Sequence, residues 1–186
     1  MALPTPFTTT SQVLANYSYT EIASGLGFIQ FFLTQSENDE YNLFDRATYT
    51  NKPSIQNNDT FVFNTSTFNS TRTLKGEALI EFSCHNGASG TTKNLTINST
   101  LEVVKNGVAS TVGTFQEVND SFNSNTFYVR SSKATLTETS IGLGDSLRLT
   151  LVLTGHVSYG KIFIDPAVTT SGALGTSKLN VPFKIE

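Results

Sequence analysis

The stretch "SLRLTLVLT" constrains this chain more than any other: Leu147, Leu149, Leu151 and Leu153 fall on every second residue. Successive side chains of a strand point to opposite faces, so this spacing puts four leucines on one face. Ser146, Arg148, Thr150 and Thr154 occupy most of the other face, with Val152 the one apolar member. A helix has no use for a period of two, whereas a half-buried strand requires it. Other segments repeat the pattern. Ala78, Ile80, Phe82 and Cys84 alternate in 77–84, Leu95, Ile97, Leu101 and Val103 share a face in 94–104, and "LNVPFKIE" aligns Leu179, Val181, Phe183 and Ile185. Further strands are expected at 27–34, 41–44, 60–64, 108–118, 125–131, 134–141 and 161–165. "GFIQFFL" is apolar on both faces, so its second face calls for a cover. Pro182 has no N–H to give a ladder, which predicts an edge position for the last strand. Asn106-Gly107 is the strongest hairpin signal, since both residues accept the left-handed backbone of a tight turn.

Composition supports the same class. The chain has 186 residues, a length that suits one domain. Only 15% of residues are charged, against a usual share of about 25%. Ser, Thr and Asn take up the difference. Thr favours strands and Ser and Asn favour turns. These features predict an all-β protein: an antiparallel β-sandwich of jelly-roll type at 19–186, preceded by an extended N-terminal arm at 1–18. An immunoglobulin-type sandwich is disfavoured because Trp is absent and Cys84 is the only cysteine.

Charge and motifs narrow the function classes. The net charge is −3 and there is no basic run, so neither nucleic acid nor an anionic membrane is an expected partner. The start "MALPTPFTTTSQ" lacks a signal-peptide pattern, which leads us to expect synthesis in a host cytoplasm. On that reading the seven Asn-x-Ser/Thr triplets, at Asn16, Asn58, Asn64, Asn69, Asn94, Asn98 and Asn119, are products of composition. Cys84 and His85 are adjacent, so on a strand they point apart and do not form a nucleophile pair. His156 sits in an expected turn. "GASGTTK" (87–93) has its Lys after the threonines and no helix behind it, unlike a phosphate loop. Glu37, Asp39 and Glu40 match no calcium loop and read as solvated turn charges. No catalytic, cofactor-binding or metal residue is therefore assigned, no cofactor is expected, and the chain is read as not an enzyme.

Two resemblances give the reading a direction. "LGDSLRLTLVL" (143–153) resembles the Gly-Asp entry into a late strand of tumour-necrosis-factor-like jelly rolls. There Gly144 would take the turn and Asp145 would bond its backbone. The whole chain is similar to the small jelly-roll structural proteins of tailed bacteriophages, with their Thr/Asn/Ser-rich surfaces and endings like "DP…LNVPFKIE". That resemblance implies a virion structural protein at the capsid surface, foremost a head decoration (cement) protein. Its implied partners are itself, as a homotrimer, and the major capsid protein or other virion proteins. A tail- or fibre-associated receptor- or carbohydrate-binding module is the alternative.

Overall fold

A computed structural model of the chain describes residues 15–16, 25–35, 40–45, 54–55, 59–86, 93–122, 126–155, 160–164 and 177–184. Among the described residues there are thirteen strands, beginning with β1 (Ala15–Asn16), β2 (Leu26–Gln35), β3 (Tyr41–Phe44), β4 (Ser54–Ile55), β5 (Thr60–Asn64), β6 (Arg72–Asn86) and β7 (Lys93–Lys105). The chain continues through β8 (Val108–Thr114), β9 (Val118–Phe122), β10 (Thr126–Ile141), β11 (Ser146–Gly155), β12 (Gly160–Phe163) and β13 (Lys178–Lys184). There is no helix among the described residues.

The pairing follows from one long antiparallel ribbon rolled on itself. Its tip is the β7–β8 turn at Asn106-Gly107. Back along the ribbon, β7 pairs with β8 and β9, β6 with β10, β5 with β11, and β2 with β13, all antiparallel. Rolling then brings β13 against β6 and β11 against β7. The result is two layers, β10–β6–β13–β2 and β5–β11–β7 with β8 and β9, which is the nesting of a jelly roll. A single parallel bridge, Asn42 with Asn64, joins β3 to β5 and makes the hydrogen-bonded sheet continuous. The far margins also meet: Gln116 N–H donates to Lys133 O at 3.1 Å, and Ser132 Oγ donates to Gln116 O at 2.5 Å.

The alternating rows do what their spacing demands. Leu147, Leu149, Leu151 and Leu153 are all buried, and so are Ala78, Ile80, Phe82 and Cys84 on β6. Leu95, Ile97, Leu101 and Val103 of β7 and Leu179, Val181 and Phe183 of β13 join the same core. Ile185 lies outside the described residues.

Several expectations are corrected. Pro182 does not mark an edge, because β13 lies between β2 and β6. The register of β13 against β6 shifts between Asn180 and Phe183, so the proline sits in an irregularity where no N–H is needed. The two strands expected at 125–131 and 134–141 are one strand, β10, with a register shift between Leu136 and Thr139. The segment expected as one returning strand ends at β8, and β9 pairs separately with the start of β7. The expectation of an extended arm at 1–18 is left as it stood: within it Ala15 and Asn16 form β1 and pair with Ile29 and Phe28. Residues 1–14 and 17–24 lie outside the described residues.

Candidate docking surface

The groups that carry chemistry come first, because their placement limits what the fold can do. Cys84 points into the core and His85 to the opposite side of β6, where its ring lies tilted against Phe127 with 4.2 Å between centroids. The two do not meet. Burial pushes the Cys84 thiol up to about 12, with the Asp120 charge adding to the effect. Hydrogen bonding to Tyr128 and the Arg130 charge oppose it without cancelling it. A thiol held that high stays protonated at neutral pH and is no nucleophile. Tyr128 is raised too, by burial first and then by Cys84 and Asp120.

These residues meet at the seam between the layers. Arg130 Nε donates to Asp120 Oδ1 at 2.8 Å, and the guanidinium lies 4.8 Å from the centroid of the Tyr128 ring. Arg130 is on β10 and Asp120 on β9, so the pair clasps one layer to the other. At neutral pH this arrangement holds hydrogen bonds and charge, and so fastens the fold. Sequence reading misses it because the partners belong to different layers and the residue pattern does not mark β9 as a strand of its own.

Glu40 is exposed; Glu37, Asp39, His156 and residues 87–92 lie outside the described residues. Among the described residues no group of three or more His, Cys, Asp or Glu side chains gathers to hold a metal ion.

The surface is more informative at the end where β7 turns into β8 and β10 into β11. Asn106 and Gly107 take φ of 50° and 80°, the left-handed pair a two-residue hairpin needs. Gly144 takes φ of 86°, and the Asp145 carboxylate accepts the Gly142 N–H at 2.7 Å. This is the turn expected from "LGDS". Phe68 N–H donates to Asp145 O at 2.7 Å and Gly144 N–H to Phe68 O at 2.9 Å, tying a third segment to the same turn. Lys105 Nζ donates to Ser140 O at 2.6 Å and lies 3.9 Å from the Asp145 carboxylate, which holds the two turns together. On this braced end stand Leu143 and Val108, 75% and 67% exposed, beyond the 43% of Phe44 and Val129. An isolated exposed apolar residue is ordinary. Here Leu143 stands on a turn and Val108 opens β8 beside one, both on backbone that is already ordered, so contact through them costs little further entropy. In sequence Leu143 reads as a turn residue, and only the β7–β8 register next to Lys105 brings Val108 to the same end.

The known proteins add a statement about fold. No family model and no curated protein matches the chain by sequence. Two crystal structures of a CocE/NonD family hydrolase from Staphylococcus aureus match by shape, with TM-scores of 0.60 and 0.56 and sequence identities of 10% and 11%. They cover 86% and 84% of this chain, which spans only 37% and 36% of theirs. A selenomethionine-labelled α-amino acid ester hydrolase matches with a TM-score of 0.49 at 10% identity, over 84% of this chain and 34% of its own. The likeness is one of fold. It corrects the expectation that the chain is not an enzyme, since in the two CocE/NonD structures the same fold forms part of a hydrolase. The reason sequence reading erred is physical: a unit that is about a third of such a chain has the fold whether or not a catalytic motif is written in it.

Proposed function

We propose that this chain is an assembly module of a virion, a capsid decoration protein that seats on the particle through the Leu143–Val108 end. One observation carries the reading: the most exposed large apolar side chains of the described residues share a single end whose turns are braced by Asp145 and Lys105. Rigid apolar anchors on a surface of low charge suit a wet, shape-matched protein contact. The resemblance to phage decoration proteins supplies the particle and, with it, the major capsid protein and further copies of the chain as partners.

A second reading comes from the hydrolase structures: the module belongs with a hydrolase and packs against its catalytic part through the same end. One experiment separates the two. The purified chain and the Leu143→Asp/Val108→Asp variant are each mixed with undecorated capsid particles and sedimented. The decoration reading expects the parent chain to pellet in a fixed ratio to capsid protein and the variant to stay in solution. Parent chain that never pellets, yet copurifies with a hydrolase, turns the assignment to the second reading.

A further inference from the structure

We propose that Arg72, at the mouth of the sandwich beside Leu143, receives an Asp or Glu side chain of the partner that seats on this end. The inference rests on the Leu143–Val108 reading for its partner and adds the chemistry that the partner must carry.

Arg72 opens β6 and stands opposite Ile141, the last residue of β10. Residues directly opposite each other in a ladder share a face. Ile141 is buried in the core, so Arg72 belongs to the core-facing row, at the very end of its layer. Its guanidinium carbon lies 5.4 Å from the centroid of the ring of Phe183, a core residue. Phe183 stands opposite Leu74, the next member of the same row of β6. The guanidinium is thus backed by an aromatic ring that the core holds in place, and its position is largely set before any ligand arrives.

Leu143 follows Ile141 by two residues, at most about 7 Å of chain. It lies in the turn by which β10 of one layer passes into β11 of the other. Val108 is on that second layer. A partner that covers Val108 and Leu143 therefore has Arg72 at its flank.

The electrostatics say what that flank presents. Arg72 Nε alone of the guanidinium nitrogens is buried without a hydrogen-bond partner, and Arg72 has no ion pair among the described residues. The carboxylates nearby are engaged elsewhere. Asp145 accepts the Gly142 N–H at 2.7 Å and lies 3.9 Å from Lys105 Nζ, and Glu138 pairs with Lys75 at 3.1 Å. Lys184, next to Phe183, is exposed and also lacks an ion pair among the described residues. A half-buried cation without a counter-charge has lost part of its hydration for nothing in return. A carboxylate restores the balance best, because the planar guanidinium offers it two parallel N–H donors. With Leu143 beside it, the site fits an acidic residue flanked by an apolar one.

Side-chain NMR of the full chain tests the proposal. The Nε–H signal of Arg72 is assigned through its contact with the Phe183 ring. Two end-blocked probes, N-acetyl-Leu-Asp-amide and N-acetyl-Leu-Asn-amide, are then titrated at constant ionic strength. The Asp probe is expected to move the signal saturably, and the Asn probe to bind roughly tenfold more weakly. Equal affinities, or a signal that neither probe moves, would overturn the proposal. Sedimentation with undecorated capsid particles keeps this inference apart from the reading it rests on. Arg72→Gln, with its fold checked by a thermal melt, is expected to bind roughly tenfold more weakly than the parent chain and to lose part of the salt dependence. Parent and variant that pellet equally would overturn the Arg72 contact and leave the decoration reading in place. A parent chain that never pellets sinks the decoration reading, and the two probes then decide the carboxylate site by themselves. They decide it also if Arg72→Gln fails to fold.

Discussion

Strands β2 and β11 make an instructive pair. Each has ten residues and alternates between buried and half-buried positions over most of its length. Their inward rows, Ile29, Phe31 and Leu33 against Leu147, Leu149, Leu151 and Leu153, belong to one core. Their outward rows differ. On β11, Arg148 Nε donates to Asn64 Oδ1 at 3.1 Å and Thr150 Oγ1 to Glu102 Oε2 at 3.3 Å, a polar surface that water can wet. On β2 the outward row carries two phenylalanines and a leucine. Alternation thus locates the core in both strands, but only on β11 does it also locate solvent. An apolar outward row costs free energy in water in proportion to its exposed area, so β2 needs a cover and β11 does not.

The largest effects should come from the rows the strands share. Leu149→Ala is expected to cost about 2–5 kcal/mol and Phe31→Ala about 3–5 kcal/mol, because each leaves a cavity in a close-packed core. Thermal melts check both. A harmless Leu149→Ala would show the β11 register to be wrong. The outward rows should then separate the two strands. Phe32→Ser in the full chain is expected to cost about 1–2 kcal/mol, since a half-buried ring loses its apolar contact. Thr150→Ala should stay within about 0.5 kcal/mol, as a surface change. Equal costs at 32 and 150 would erase the distinction between the faces.

An effect confined to alkaline pH concerns Cys84. Its thiol is raised in the folded chain from the ordinary 9.0 to about 12. Between those values the unfolded chain gives up the proton and the folded chain keeps it. Stability is therefore expected to fall as pH rises from 9.0 toward about 12, by up to ~1.4 kcal/mol per pH unit from this group. Denaturation curves of the parent and Cys84→Ala at several alkaline pH values give the measurement. Identical slopes would contradict the burial-driven shift.

Much of this fold is local and was legible for that reason. The Leu147–Leu153 row, the Asn106-Gly107 turn and the short strand Tyr41–Phe44 depend on neighbours in sequence. What depends on partners far along the chain was not legible. Pro182 suggested an edge because a proline states what a residue cannot donate, without saying that an irregularity in the β13–β6 ladder removes the demand. β10 is continuous because β6 runs the whole length beside it, a fact that the Ser and Lys between 131 and 133 conceal. The Asp120–Arg130 clasp joins residues only ten apart, yet its members meet only once β9 and β10 are each placed in their own layer. The Leu143–Val108 end is half legible: the "LGDS" turn declares itself, but Val108 joins Leu143 only once β7 and β8 have turned. The likeness to hydrolases had no trace in the residues, since at 10–11% identity a shared fold leaves no shared motif to read.

The most direct test of the whole account is electron cryo-microscopy of the purified chain bound to capsid particles. The account predicts that Leu143 and Val108 meet the particle, with the outward row of Arg148, Thr150 and Val152 turned to solvent. A chain held through that β11 row, or particles that carry no chain at all, would contradict it.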